Sequence, residues 1–357
     1  MSAERPSGEP VALFDYALPE ELIAQHPASV RDRSRLMVVD GDVIENRTFY
    51  DLPRLLTSDD LLVLNETRVI RARLLGDREH GGRAELLLLH PSNSMQYDPQ
   101  ASRWIALAKP ARRLRAGSRI AFCNLGEAVV LAELDNGVRE IELRLNVPFE
   151  TFLERAGRMP LPPYIHNESA RAQRRYQSVF ARRPGSVAAP TASLHFTPRL
   201  LREIATCGVQ IVRIALNVGL GTFRPVTAEI VREHAMHEES YSIEPSAARA
   251  IEAARSAGRR IVAVGTTVVR ALEGNVRACG RIEAGEYSTD LFIAPGYQFR
   301  AVGAMVTNFH LPRSTLLMLV SAFAGRERIL RAYAEAVAER YRFYSFGDAM
   351  FVVGKRQ

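Results

Sequence analysis

The chain is poor in cysteine, tryptophan and lysine, with three, one and two residues respectively in 357. Cys123, Cys207 and Cys279 lie far apart, are odd in number and form no Cys-x-x-Cys pair. Neither a disulfide framework nor a structural zinc site is indicated, and the three read as small buried hydrophobes. No apolar run reaches the ~18 residues of a membrane span. The first ten residues carry two prolines and two acids and lack the apolar stretch of a signal peptide, so a soluble cytoplasmic protein is expected. There is no Gly-x-Ser-x-Gly elbow, Walker loop or His-Glu-x-x-His helix, which removes the common hydrolase, nucleoside-triphosphatase and zinc-protease readings.

What is present is an ordinary globular balance, 47% apolar and 24% charged, long enough for about two domains. A net charge of +7 allows a polyanionic partner. The excess of arginine over lysine is read as a mark of genomic base composition rather than of selection for phosphate contact. From about Leu61 to Leu145, short apolar or alternating runs are separated by Gly76, Gly81-Gly82, Pro91, Gly117, Gly126 and Asn136-Gly137, the pattern of an all-β barrel or sandwich. After about Thr151 strands alternate with helices. Thr197-Pro198 opens a helix closed by Gly208, Ser246 is read as the cap of a helix over 247–257, and Ser314 caps another. Such alternation predicts an α/β domain whose sheet is mostly parallel, with helices on both faces.

Ligands of open parallel sheets bind beyond the carboxyl ends of the strands. Three strand-end loops are unusual there. Gly219-Leu220-Gly221-Thr222 reads either as a tight turn or as a loop letting a ligand approach the backbone. Gly265-Thr266-Thr267, opening a helix that carries Arg270, offers free N–H groups and hydroxyls to an anion, or merely caps a helix. Thr307-Asn308-Phe309-His310-Leu311-Pro312-Arg313-Ser314 gathers an amide, an imidazole and a guanidinium in one turn. His195 and His310 are candidates for general acid or base, or for structural hydrogen bonding. His234 and His237, three apart, would share a helix face, but no third ligand at zinc-like spacing accompanies them, so no metal is expected.

Taken together these loops resemble the S-adenosylmethionine:tRNA ribosyltransferase-isomerases of queuosine synthesis. The similarity runs nearly end to end. It takes in Phe14-Asp15-Tyr16, Arg31-Asp32-x-Ser34-Arg35-Leu36, Asn65-x-Thr67-Arg68-Val69, Pro160-Leu161-Pro162-Pro163-Tyr164-Ile165 and Ala188-Ala189-Pro190-Thr191-Ala192. It continues through Leu194-His195-Phe196-Thr197, Val218-Gly219-x-Gly221-Thr222-Phe223, His234-x-Met236-His237-x-Glu239, Val264-Gly265-Thr266-Thr267 and Thr307 to Ser314, and closes on Gly347-Asp348-Ala349-Met350.

The resemblance implies an α/β catalytic domain (1–62 and 152–357) with an inserted β-barrel (63–151). It implies a cytoplasmic transferase, expected to be a monomer, that needs no metal or cofactor and uses S-adenosylmethionine as co-substrate and tRNA as acceptor. It would move the ribosyl part onto 7-aminomethyl-7-deazaguanine at the wobble position, releasing adenine and methionine and leaving epoxyqueuosine. Proton transfer falls to His195, His310 or His237. Substrate binding falls to Gly219, Gly221, Thr222, Thr266, Thr267, Arg270, Asn308 and Arg313, with the methionine carboxylate at Thr266-Thr267 and Arg270. Arg68, Arg112, Arg113, Arg115, Arg174 and Arg175 are candidates for holding the tRNA backbone, or else form a solvated arginine face. The chain departs from the family pattern at Asn217, where a His stands, and at Ser193, where a Gly stands. A paralogue using another nucleobase acceptor, or a non-catalytic RNA-binding protein, is the alternative these departures leave open.

Overall fold

The computed structural model describes residues 8–219, 226–236 and 238–354. Its larger sheet has nine strands in the order Gly285–Thr289, Glu239–Ile243, Gln210–Leu216, Leu61–Asn65, Ile261–Val264, Ala304–Asn308, Ala349–Val353, Arg35–Asp40 and Val43–Thr48. The four strands from Gln210–Leu216 to Ala304–Asn308 are mutually parallel, and three of them, all but Leu61–Asn65, were expected from the sequence as strands of a parallel sheet. The sheet as a whole is mixed, because antiparallel partners extend it on both sides.

The central strands are buried on both faces, which is why they read as continuous apolar runs. Leu61, Val63 and Ala263 face one core, under the helices Pro245–Ser256, Thr266–Cys279, Thr315–Ala324 and Arg326–Ala338. Leu62, Leu64 and Val264 face the other, under the helix Pro198–Thr206 and the short turns around Phe49 and Phe196. The Thr197 and Ser314 hydroxyls accept from Leu200 N and Leu317 N, as their sequence positions predicted. Ser246 is not a cap: the helix begins at Pro245, whose fixed φ and missing N–H suit the first helical position, with Glu244 before it.

The smaller sheet closes into a six-stranded antiparallel barrel, Arg73–Arg78, Arg83–Pro91, Arg103–Lys109, Val138–Leu145, Gly126–Glu133 and Arg119–Ala121, with the last strand pairing back onto the first. The Asn136-Gly137 hairpin joins two of its strands. The helix Phe149–Ala156 plugs one end. Phe149 stacks on Trp104 at 5.0 Å and Phe152 meets Phe122 edge-on at 5.2 Å. The expected boundaries therefore shift. Leu61–Asn65, grouped with the barrel by its short apolar run, is a central strand of the large sheet, and the cut at 152 falls inside the plugging helix. The cysteine reading is also corrected: Cys123 and Cys207 are exposed and Cys279 half-buried, because each sits at the end of an element.

Barrel closure depends on a close approach at Gly76, where a Cβ would lie 2.5 Å from Ile120 Cγ2 and 2.7 Å from the Ala121 carbonyl. Gly76→Ala should lower the stability of the barrel by about 1–3 kcal/mol. Urea unfolding followed by Trp104 fluorescence reads this, and an unchanged midpoint would show that the seam relaxes freely.

Candidate active site

Because the four central strands are parallel, their carboxyl ends meet along one edge. Asn65, ending the first, accepts from Thr67 N and Leu216 N through Oδ1 and donates to the Leu216 carbonyl, so it clamps two strand ends beneath the loop that follows. Ser186 Oγ then accepts from Val218 N at 3.0 Å and donates to the Ala188 carbonyl. Gly265 leaves the third strand at φ 99°, a left-handed conformation that glycine adopts without strain, and turns the chain into the helix Thr266–Cys279. No side chain among the described residues caps that helix, and the Thr266 and Thr267 N–H groups have no partner there.

These ends wall a pocket that opens to solvent. Val218, Gly265 to Thr267 and Thr307 to Leu311 form one side; Tyr164, Ala189 to Ala192, Tyr344 and Ser345 form the other. Among the described residues lining it there is no Asp, Glu, Lys or Arg. His310 is its one imidazole. Nε2 lies 2.8 Å from Thr307 Oγ1, Nδ1 has no hydrogen-bond partner among the described residues, and burial pushes the ring down to about 3. Its backbone is held from both sides, since His310 N donates to Tyr333 Oη and Tyr16 Oη donates to the His310 carbonyl.

Asn308 is 2% exposed. Its Nδ2 donates to the Tyr344 carbonyl at 3.0 Å and to His195 Nε2 at 3.3 Å, while Oδ1 is buried without a partner. His195 is behind the wall, stacked on Phe49 at 4.9 Å with Nδ1 at 2.7 Å from Ser34 Oγ. Burial, then the Arg342 and Arg31 guanidinium charges, push its ring down to about 3.

Of the residues nominated from sequence, the structure thus brings Thr266, Thr267, Asn308 and His310 into one pocket. Four do not reach it. His195 spends both nitrogens on protein groups, which corrects its reading as an acid or base. Arg270 is buried in an ion pair with Glu239 at 2.5 Å and donates to the Leu291 and Thr289 carbonyls, and these partners commit it to the interior although it lies one turn along the same helix face from Thr266. Arg313 is exposed, and Gly219 lines a second cleft instead. Gly221, Thr222 and His237 lie outside the described residues, and His234 follows a short turn in extended conformation rather than riding a helix. No group of three or more potential metal ligands occurs among the described residues, and no described helix is long and apolar enough to cross a membrane. Sequence reasoning did not nominate Tyr164, Thr191, Tyr344 or Ser345; the proline-dense stretch before Tyr164, with neither helical nor strand period, was the available signal.

The second cleft, about 1080 Å³, lies at the seam between barrel and sheet, with Leu89, Ile105 and Leu107 on the barrel side and Gly185, Asn217, Val218 and Ser240 opposite. Val218 borders both cavities. Arg68, Arg112, Arg113, Arg115 and Arg174 are exposed, and their side chains have no hydrogen-bond or ion-pair partner among the described residues. Arg175 is half-buried and donates to the Ser29 carbonyl.

A profile for the family described as queuosine biosynthesis protein matches residues 11–352. The chain belongs to that family. It is 55% identical over 344 residues to the S-adenosylmethionine:tRNA ribosyltransferase-isomerase of Symbiobacterium thermophilum, covering 95% of this chain and 98% of that protein. It is 54% identical over 346 residues to the protein of the same name from Moorella thermoacetica, covering 95% and 98%. The crystal structure of S-adenosylmethionine tRNA ribosyltransferase from Thermotoga maritima superposes with a TM-score of 0.54 at 37% identity, covering 96% of this chain and 100% of that one. This member of the queuosine biosynthesis protein family therefore shares its sequence with those enzymes across both sheets.

The two buried imidazoles give the fold an acid-sensitive limb. Above pH 6.5, the ordinary histidine value, both folded and unfolded chains hold neutral rings; as pH falls from 6.5 toward 3, only the unfolded chain takes up protons, so stability falls. Each ring contributes a slope of up to about 1.4 kcal/mol per pH unit in that window. Urea titrations between pH 7.5 and 4.5 should show a shallower loss for His195→Gln than for the parent, and parallel curves would place the ring in contact with water.

Proposed function

We propose that this chain transfers and isomerises the ribosyl part of S-adenosylmethionine onto 7-aminomethyl-7-deazaguanine at the wobble position of tRNA, leaving epoxyqueuosine and releasing adenine and methionine in the cytoplasm. What carries this reading is the identity to enzymes of that name over 95% of the chain. The pocket at the strand ends supports it with suitable chemistry. The methionine carboxylate fits the open N–H groups of Thr266 and Thr267 at the positive end of their helix. The sulfonium acidifies the C–H beside it, and we assign His310 to take that proton: if Nε2–H is donated to Thr307 Oγ1, the Nδ1 lone pair is left to accept it. Burial keeps the ring neutral and so able to accept a proton, while lowering its basicity.

The seam cleft, separated from this pocket by Val218, is the place for the acceptor base, flipped out of its stack between apolar walls. Arg68 sits on the strand paired with Arg183–Ser186, at the edge of that cleft, where it can meet a phosphate. Arg112, Arg113 and Arg115 extend the cationic surface onto the barrel, and Arg174 and Arg175 continue it on the short helix Ala170–Arg175. The protein acts as a monomer and takes no metal or cofactor in this reading.

Incubation with S-adenosylmethionine and tRNA carrying the aminomethyl-deazaguanine base should release adenine and yield epoxyqueuosine by mass spectrometry of digested nucleosides. A folded protein that binds S-adenosylmethionine and forms neither product, or modifies a different nucleoside, would overturn the acceptor assignment. His310→Ala should slow adenine release by about 100-fold or more while leaving S-adenosylmethionine bound in equilibrium dialysis; normal turnover removes His310 from the chemistry. Replacing Arg112, Arg113 and Arg115 together by Ala should weaken tRNA binding and flatten its salt dependence by up to about 0.9 in log–log slope for each phosphate no longer neutralised. An unchanged slope rejects the three as phosphate ligands.

A further inference from the structure

We infer that Asn308 Oδ1 reads the 6-amino group of the substrate's adenine, and that His195 and Ser34 act in the reaction by locking the Asn308 amide in the orientation that presents this oxygen. The inference rests on the pocket being the S-adenosylmethionine site.

The orientation of the amide follows from its neighbours. The Tyr344 carbonyl can only accept, so the end of the Asn308 side chain at 3.0 Å from it is the NH₂ group. The second N–H of that group meets His195 Nε2, which must then carry a lone pair. The proton of a neutral imidazole is therefore on Nδ1, where it is donated to Ser34 Oγ at 2.7 Å, and the Ser34 hydroxyl proton goes to the Arg31 carbonyl at 3.2 Å. Every donor and acceptor along this chain is fixed by the next. Rotating the Asn308 amide by half a turn would set its oxygen against the Tyr344 carbonyl and against the His195 lone pair.

Asn308 lines the pocket, whereas His195, Ser34 and Arg31 do not. Its Nδ2 is spent behind the wall, which leaves Oδ1 as the atom it can offer. That oxygen is buried without a partner, and a buried acceptor left unpaired is costly, so the site is built for a donor. The class of donor follows from the other walls. No described lining residue carries a negative charge, which a desolvated ammonium would need. Phe309, Leu316 and Tyr344 instead provide apolar and aromatic surface suited to a planar ring. A neutral exocyclic amine on a purine satisfies both conditions. A 6-oxo purine would place oxygen against oxygen, and the locked amide cannot turn its NH₂ toward it.

The test uses the intact enzyme with S-adenosylmethionine and with S-inosylmethionine, its 6-oxo analogue, reading kcat/KM for release of adenine or hypoxanthine in the presence of acceptor tRNA. The parent protein should disfavour the 6-oxo substrate by about 100-fold or more, since a site built around a hydrogen bond rejects the analogue that lacks it. His195→Gln, whose side-chain oxygen can replace Nε2 as acceptor, should keep that ratio; His195→Leu, which frees the amide to rotate, should reduce it to below about 10-fold. A merely structural role for His195 would lower both rates alike and leave the ratio unchanged, which would overturn the inference. Equal use of both substrates by the parent protein would overturn it too, as would a loss on Asn308→Ala confined to discrimination against a substrate lacking the α-amino group. Failure of the underlying site assignment has a different signature: Asn308→Ala and Thr267→Val would then bind S-adenosylmethionine in equilibrium dialysis as tightly as the parent.

Discussion

Parallel pairing of four strands is the constraint on which the rest of this structure hangs. Strands that run the same way must deliver their carboxyl ends to one edge, so the residues after Asn65, Leu216, Val264 and Asn308 converge there although they are scattered over about 240 positions of the chain. Three local devices turn that convergence into a pocket. The Asn65 amide pins two of the strand ends together, Gly265 turns the third into a helix whose first N–H groups stay open, and Tyr16 and Tyr333 hold the backbone of His310 after the fourth.

The electrostatic design separates two environments. The strand-end pocket carries no formal charge on its described walls, and both nearby imidazoles are held neutral by burial. A cation bound in such a pocket would meet fixed dipoles rather than counter-ions, and dipoles that need no reorganisation are the efficient means of stabilising charge as it moves. The arginines divide in the same spirit. Arg270 and Arg260 are committed to Glu239 and Asp60 inside the fold, whereas Arg68 and the arginines of the barrel turn are exposed with no partner among the described residues. Only the second group is available to a polyanion.

The barrel is more than an appendage to this arrangement. Its outer face supplies Leu89, Ile105 and Leu107 to the seam cleft, and the loop after the Gln210–Leu216 strand supplies Asn217 and Val218 from the other side. Asn217 Nδ2 donates to Ser240 Oγ, which donates to the Met95 carbonyl of the barrel, so short polar side chains tie the two halves together.

Much of this was legible in the sequence because the signals are local. Caps at Thr197 and Ser314, the Asn136-Gly137 turn and the buried runs at Ile261–Val264 and Ala304–Asn308 each depend on residues within a turn of one another, and each stands where it was expected. The strand-end loops, and with them Thr266, Thr267, Asn308 and His310, were found by the same reasoning. Local signals failed where the deciding partner is distant in the chain. Leu61–Asn65 has the composition of a barrel strand and becomes a sheet strand by pairing with residues some 150 and 200 positions later. Arg270 follows the anion loop by one helical turn, and only the position of Glu239 takes it into the interior. His195 is chemically equivalent to His310 in the sequence; packing against Phe49, Ser34 and Asn308 makes one a brace and leaves the other with a free nitrogen at the pocket. Composition and spacing thus determined which elements form and which loops carry chemistry, while the roles of individual polar side chains were decided by tertiary structure, because a hydrogen bond specifies its partner by distance in space and not along the chain.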